Sequence, residues 1–126
     1  MINGIGVDII EIDRIQRSVE KFGDSFLNKI YTDNELKYSL SKKNKYQHLA
    51  ARFAAKEAIF KALSPSLGSD NISWQEIEVT NMPNGMPIVK LLGRFENFIE
   101  QNKTLHVSIS HSENYVVCFA VFNNNK

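Results

Sequence analysis

Residues 52–62 read Arg-Phe-Ala-Ala-Lys-Glu-Ala-Ile-Phe-Lys-Ala, and this segment constrains the fold more than any other stretch of the chain. At roughly 100° of rotation per residue, Ala51, Ala54, Ala55, Ala58, Ile59 and Ala62 share one small-residue face of a helix. Phe53, Glu57 and Phe60 lie together on the opposite side, so a carboxylate stands between two phenyl rings. Lys61, one i,i+4 step on, and Lys56 bracket that carboxylate, and the surface is able to hold a cation and an anion side by side. A charged helix packed on its alanine side, with Glu57 simply paired to Lys61, accounts for the same pattern.

The 126 residues, 43% of them hydrophobic, suit one globular domain spanning 1–126. Charge is close to balanced overall but unevenly spread. Residues 1–62 carry 11 Lys and Arg against 8 acids, net +3, and residues 63–126 carry 4 against 6, net −2. Local basicity of this kind suits an anionic small molecule or an acidic protein surface; a nucleic-acid module is usually basic throughout, so no nucleic-acid partner is expected. The single cysteine, Cys118, lies in an apolar strand segment and offers neither an intrachain disulfide nor a cysteine metal cluster. No signal-type start and no membrane-length apolar run is present, so a cytoplasmic protein without a membrane partner is expected.

Ile5, Val7 and Ile9 alternate with Gly6, Asp8 and Ile10, predicting a first strand that projects Asp8 from the face opposite its main apolar row. A helix follows, with Ile12, Ile15, Val19 and Phe22 as its apolar stripe and Arg14, Arg17 and Lys21 as a parallel basic stripe, before Gly23 ends it. That basic stripe reads equally as a docking face or as a solvated one. Thr32 caps a short helix with Glu35 placed for a capping box. The Lys42-Lys43-Asn44-Lys45 loop leads to the central helix over 46–64, which Pro65 and Gly68 terminate.

Trp74, Ile77 and Val79 predict a strand, Asn81 to Pro87 a turn around Asn84-Gly85, and Ile88 to Leu91 its partner strand. Residues 92–101 read as a helix. Leu105, Val107 and Ile109 alternate with His106, Ser108 and Ser110, then His111 to Asn114 turns into the apolar strand Tyr115 to Phe122, giving a hairpin. The asparagine-rich end, 123–126, is expected to fray.

Asp8 and Glu57 both sit in apolar surroundings, where an uncompensated carboxylate is costly. A hard divalent cation resolves that cost: two carboxylates, water and phosphate oxygens make an oxygen-only set suited to Mg²⁺, with Lys56 or Lys61 meeting the remaining phosphate charge. An ordinary salt bridge is the competing reading. The three histidines lack a zinc-ligand pattern.

Three segments taken together carry a resemblance: Gly4-Ile5-Gly6-Val7-Asp8 with Arg14, then Arg52-Phe53-Ala54-Ala55-Lys56-Glu57-Ala58 with Lys61-Ala62, then Ser108-Ile109-Ser110-His111-Ser112. With the Asn84-Gly85-x-Pro87 turn, the chain from about residue 4 to 121 resembles the bacterial holo-acyl-carrier-protein synthases, the short 4′-phosphopantetheinyl transferases. Val116 and Val117 depart from the alanines common there, a difference of packing that leaves the polar motif intact.

The resemblance implies an α+β fold, an antiparallel sheet packed against a long central helix, and a homotrimer with nucleotide sites between subunits. It implies transfer of 4′-phosphopantetheine from coenzyme A to a serine of apo-acyl carrier protein, in support of fatty acid biosynthesis, with release of adenosine 3′,5′-bisphosphate. Asp8 and Glu57 would then hold Mg²⁺ at the pyrophosphate; Lys61, assisted by Lys56, would clamp the phosphate, and Glu57 or a water beside it would take the serine proton. Lys61, Gly85, Pro87, Ser110, His111 and Ser112 would contact coenzyme A. Arg14, extended by Arg17 and Lys21, would face the carrier protein, and Phe53 and Phe60 would line a subunit seam. Without the resemblance, His111 and its serines read as a turn-capping network and Asn84-Gly85 as a plain hairpin turn. A noncatalytic coenzyme A or acidic-protein binding module and a structural interaction protein are the competing functions.

Overall fold

Gly4 and Gly6 decide where the long helix sits. A computed structural model describes residues 1–125 of the chain. In it the first strand, β1 (Ile2–Glu11), crosses directly over the central helix, α4 (Lys45–Leu67). A Cβ on Gly4 would stand 1.7 Å from the carbonyl oxygen of Ala62, and one on Gly6 would stand 1.8 Å from that of Ala58. Strand and helix backbones therefore touch, and the alanine face predicted from helical periodicity is the surface they meet on. Ala54, Ala55, Ala58, Ile59 and Ala62 have no exposed surface.

Between these elements run α1 (Ile12–Phe22), α2 (Asp24–Ile30) and α3 (Asp33–Leu40); after α4 come β2 (Ile77–Asn81), β3 (Pro87–Leu91), β4 (Lys103–His111) and β5 (Tyr115–Asn124). β1, β5 and β4 form an antiparallel three-stranded sheet in that order, with Asp8 opposite Cys118 and Ser110 opposite Val117. β2 and β3 form a separate antiparallel hairpin. The expected α+β architecture, an antiparallel sheet on a long central helix, is the one observed. Val116, Cys118, Ala120 and Phe122 of β5 join Leu49, Ile59 and Leu63 of α4 in the core.

Several local expectations change. The row Ile5, Val7 and Ile9 faces outward and is 54%, 51% and 64% exposed, while Gly4, Gly6, Asp8 and Ile10 face α4. Period-2 alternation identifies the two faces of a strand but not which one is covered, and here the glycines belong to the covered face. Residues 92–101 do not form the predicted helix: a single 3₁₀ turn spans Gly93–Phe95, Gly93 takes φ +60°, and Arg94 is held by Glu76 at 2.8 Å. Trp74 belongs to a 3₁₀ turn, Trp74–Glu76, not to β2, because Ser73 and Glu76 form a capping box.

Pro65 does not end α4, which runs two residues further to Leu67 and is capped by Gly68 at φ +59°. A proline here gives up the hydrogen bond to the Lys61 carbonyl and crowds it, but only two helical residues follow it. α2 was not foreseen; Gly23, at φ +57°, separates it from α1. Asn123 and Asn124 are paired in β5 rather than frayed, with Asn124 N–H donating to Asn3 Oδ1 at 3.0 Å. Lys126 lies outside the described residues. The capping box of Thr32 and Glu35 and the Asn84-Gly85 hairpin, with Gly85 at φ +88°, form as the sequence predicts.

Candidate active site

Close approach of β1 to α4 brings Asp8 alongside the next turn of the helix. Lys61 Nζ donates to the Val7 carbonyl at 3.0 Å and stands 3.4 Å from Asp8 Oδ1. Glu57, one turn back on α4, is part-buried, and its carboxyl is pushed above the ordinary range, first by burial and then by the Asp8 charge, with Lys61 acting the other way. One half-exposed ammonium thus stands against Asp8 and acts through space on Glu57. The cluster carries a net negative charge in which every remaining acceptor is an oxygen, the donor set a hard divalent cation prefers. Among the described residues, no cluster of three or more His, Cys, Asp or Glu side chains is placed to hold a metal. A hard cation held by this pair would complete its shell with solvent or ligand oxygens.

Lys56 does not bracket Glu57. Its side chain is fully buried and its ammonium points into the core, against Glu35 at 2.5 Å, the Ile30 carbonyl at 2.8 Å and the Trp74 carbonyl at 2.9 Å. All three N–H donors are used. Glu35 in turn accepts from the backbone N–H of Thr32 and of Val79. Burial pushes the Glu35 carboxyl up and the Lys56 ammonium down, and the mutual charge of the pair with the backbone donors to Glu35 acts in the opposite sense. Lys56 thus ties α4 to the start of α3 and to the Trp74 turn.

Beside Glu57 opens a cavity of about 260 Å³ lined by Phe60, Ile72, Trp74 and Ile77 on its apolar side and by Ser73. Phe53 stacks on Trp74, ring centroids 5.1 Å apart, so one of the two phenyl rings is already engaged within the chain and the other, Phe60, faces this cavity. Trp74, Ile72 and Ser73 were not among the expected site residues. The Ser-x-x-Glu spacing of Ser73 and Glu76 was the available signal that Trp74 sits in a turn facing the helix.

Ser110, His111 and Ser112 lie elsewhere, with Ile9, Tyr115 and Val117 around a shallow cleft of about 190 Å³ on the outer side of the sheet. Ser112 does act as a turn cap: its Oγ accepts from Tyr115 N–H at 3.2 Å and its N–H donates to the Tyr115 carbonyl at 2.9 Å. Gly85 and Pro87 lie in the β2–β3 hairpin. The two cavities share no lining residue. A single chain thus gathers Asp8, Glu57 and Lys61 and leaves the other expected ligand contacts on separate surfaces.

Arg14, Arg17 and Lys21 are all exposed along α1. Arg17 is paired with Asp13 at 3.2 Å and Lys21 lies over the Phe22 ring, whereas Arg14 makes no ion pair among the described residues. Phe53 and Phe60 are only part-exposed. On the outer sheet face Ile5, Val7, Ile9, Tyr115, Val117 and Phe119 are all exposed and adjacent through the β1–β5 register. No helix is long and apolar enough to cross a membrane.

The profile of the 4′-phosphopantetheinyl transferase superfamily matches residues 4–120. A holo-[acyl-carrier-protein] synthase of Thermodesulfovibrio yellowstonii is 46% identical over 121 residues, covering 96% of this chain and 98% of the relative. The crystal structure of a holo-(acyl-carrier-protein) synthase from Bacillus anthracis, in complex with CoA (3′,5′-ADP), superposes with a TM-score of 0.78 at 35% identity, covering 99% of both chains. The Helicobacter pylori holo-[acyl-carrier-protein] synthase in complex with coenzyme A gives a TM-score of 0.78 at 30% identity, over 94% of this chain and 99% of that one.

Proposed function

The chain belongs to the 4′-phosphopantetheinyl transferase superfamily, and from that premise we propose how its own residues carry the reaction. It transfers 4′-phosphopantetheine from coenzyme A to a serine hydroxyl of apo-acyl carrier protein. One observation carries the assignment of the chemistry: β1 and α4 meet so closely that Asp8, Glu57 and Lys61 form one cluster.

Asp8 and Glu57 are the groups that hold Mg²⁺, which when bound neutralises charge on the pyrophosphate. Lys61 swings from Asp8 to the phosphate; its ammonium is half exposed and its carbonyl contact leaves donors to spare. The carrier serine Oγ forms a bond to the phosphorus of the phosphopantetheine group. The bond from that phosphorus to the bridging oxygen breaks, and adenosine 3′,5′-bisphosphate leaves with the electron pair. The serine proton passes to Glu57 or to a water hydrogen-bonded to it, the water being favoured while the cation draws on the Glu57 carboxylate. Ser108 and Ser110 are not nucleophiles here, because the nucleophile belongs to the carrier. Lys56 supports the reaction from the core by fixing the turn of α4 that carries Glu57.

Coenzyme A also contacts Gly85, Pro87, Ser110, His111 and Ser112, and Arg14 with Arg17 and Lys21 faces the acidic carrier. These surfaces lie apart within one chain, which supports a homotrimer whose neighbouring copies complete each site. The outer sheet face is the better seam for it than Phe53 and Phe60, because six adjacent apolar side chains stand exposed there. We place the single domain in the cytoplasm, serving fatty acid biosynthesis.

Transfer measured at limiting Mg²⁺ with the parent, Asp8→Ala and Glu57→Ala tests the assignment. Both variants are expected to lose on the order of 10²-fold or more in turnover. Near-parental turnover in both would defeat the metal assignment.

A further inference from the structure

Arg52 opens the central helix motif, yet nothing in the chemistry above uses it. Its side chain is only 3% exposed, and none of the ion pairs among the described residues includes it. Its direct partners are neutral, and the Glu35 carboxylate acts on it only through space. The guanidinium lies over the Tyr38 ring at 4.6 Å, Nη1 donates to the His48 carbonyl at 3.4 Å, and Nη2 donates to Asn81 Oδ1 at 2.5 Å. Nε is buried with no partner. A buried cation with no carboxylate in contact contributes little to stability compared with an apolar side chain of the same volume. What a guanidinium supplies is direction, because its planar fork fixes where the acceptor must stand.

The acceptor it fixes is Asn81, the last residue of β2. Asn81 Nδ2 donates onward to the Gly85 carbonyl at 2.9 Å. The turn beyond is closed on itself by Gly85 N–H to the Met82 carbonyl and Met82 N–H to the Met86 carbonyl, each 2.8 Å, and by Met86 N–H to Asn84 Oδ1 at 3.0 Å. Residues 82–86 are otherwise exposed. The relay from Arg52 through Asn81 is thus a side-chain tie between this exposed turn and the helix that carries Glu57 five residues later.

We propose that Arg52 is a positioning residue that acts through Asn81 to hold the Asn84-Gly85-Met86-Pro87 turn in register with α4, and so sets coenzyme A affinity. The proposal rests on the reading of Gly85 and Pro87 as coenzyme A contacts. Arg52 touches no reacting atom, so the effect belongs in KM for coenzyme A and not in the chemical step.

Asn81→Asp separates this role from a merely structural one. The aspartate still accepts from Arg52 and neutralises it, so thermal stability is expected to stay parental or rise. Its oxygens repel the Gly85 carbonyl, so the link to the turn is lost. Losing one such hydrogen bond is expected to raise KM for coenzyme A on the order of 5- to 10-fold, with kcat within about twofold of the parent. Amide exchange at Met82, Gly85 and Met86 should quicken by a similar factor while α4 amides stay unchanged. An unchanged KM together with unchanged exchange overturns the relay. If the parent itself transfers nothing, the proposed function fails, and the exchange measurement still decides whether the tie exists. Should Asn81→Asp not fold, Arg52→Lys is the second variant: it keeps a cation on Tyr38 without the fork, and parental KM and exchange in it would equally refute the proposal.

Discussion

Replacing Gly6 by alanine probes the contact on which the site depends. The added Cβ would lie 1.8 Å from the Ala58 carbonyl oxygen and 3.0 Å from the Ala62 amide nitrogen. Both neighbours are helix backbone, which no rotamer change can move aside, so β1 and α4 must part by about 1 Å or more to restore contact distance. Overpacking of this kind costs about 3 kcal/mol, at the upper end for added methyl groups, and lowers Tm by roughly 10 °C in a domain of this length. The same displacement separates Asp8 and the Val7 carbonyl on β1 from Glu57 and Lys61 on α4. A misplacement of about 1 Å in reacting groups lowers turnover on the order of 10²-fold. Thermal denaturation followed by circular dichroism, with transfer measured well below the lowered Tm, reads both effects. Gly23→Ala is the control: it also strains a residue, at φ +57°, but its Cβ would meet nothing within 4 Å. It should lose about 1 kcal/mol and keep its turnover. A Gly6→Ala protein with parental Tm and turnover would refute the reasoning, as would an equal loss of turnover in Gly23→Ala.

Lys56→Met leaves Glu35 buried without its ammonium and should destabilise the fold by about 3–5 kcal/mol, whereas Lys61→Ala should lower turnover with Tm nearly unchanged; chemical denaturation of the two variants separates them. Because the Glu57 carboxyl lies above its ordinary value, its protonated form favours the folded chain, a contribution fully present at low pH and lost as pH rises through the raised value. Mg²⁺ binds the ionised form, so the Tm increase it produces should grow from about pH 4 to about pH 8, and Glu57→Gln should flatten that growth; a pH-independent increase would count against Glu57 as a ligand. Phe119→Lys puts a charge in the exposed sheet face and should shift light scattering toward monomer with loss of transfer, while a fully active monomer would end the account of shared sites. Arg14→Glu should raise carrier KM, most at low ionic strength, and leave coenzyme A binding unchanged; carrier association unaltered at low salt would remove Arg14 from the docking face.

The main constellation was legible because it is written in two periodicities. Helical spacing separated the alanine face of α4 from Glu57, strand spacing set Asp8 apart from Ile5, Val7 and Ile9, and the resemblance joined the two. What periodicity lacks is a third dimension. It gave the angle of Lys56 on the helix but not Glu35, Ile30 and Trp74 waiting on the far side, so a core lysine read as a phosphate ligand. It found an apolar row on β1 without revealing that Gly4 and Gly6 had claimed the covered face for α4. Residues 92–101 misled because Gly93 at positive φ and the Arg94–Glu76 pair outweigh helix propensity in so short a segment.

Intact-protein mass analysis of an apo-acyl carrier protein incubated with the purified chain, coenzyme A and Mg²⁺ addresses the central claim most directly. The account predicts that the carrier gains the mass of one 4′-phosphopantetheine group, that the gain disappears when the acceptor serine is replaced by alanine, and that it falls sharply with Asp8→Ala. A folded chain that binds coenzyme A and leaves plausible carriers at their apo mass would contradict it and identify a binding module instead.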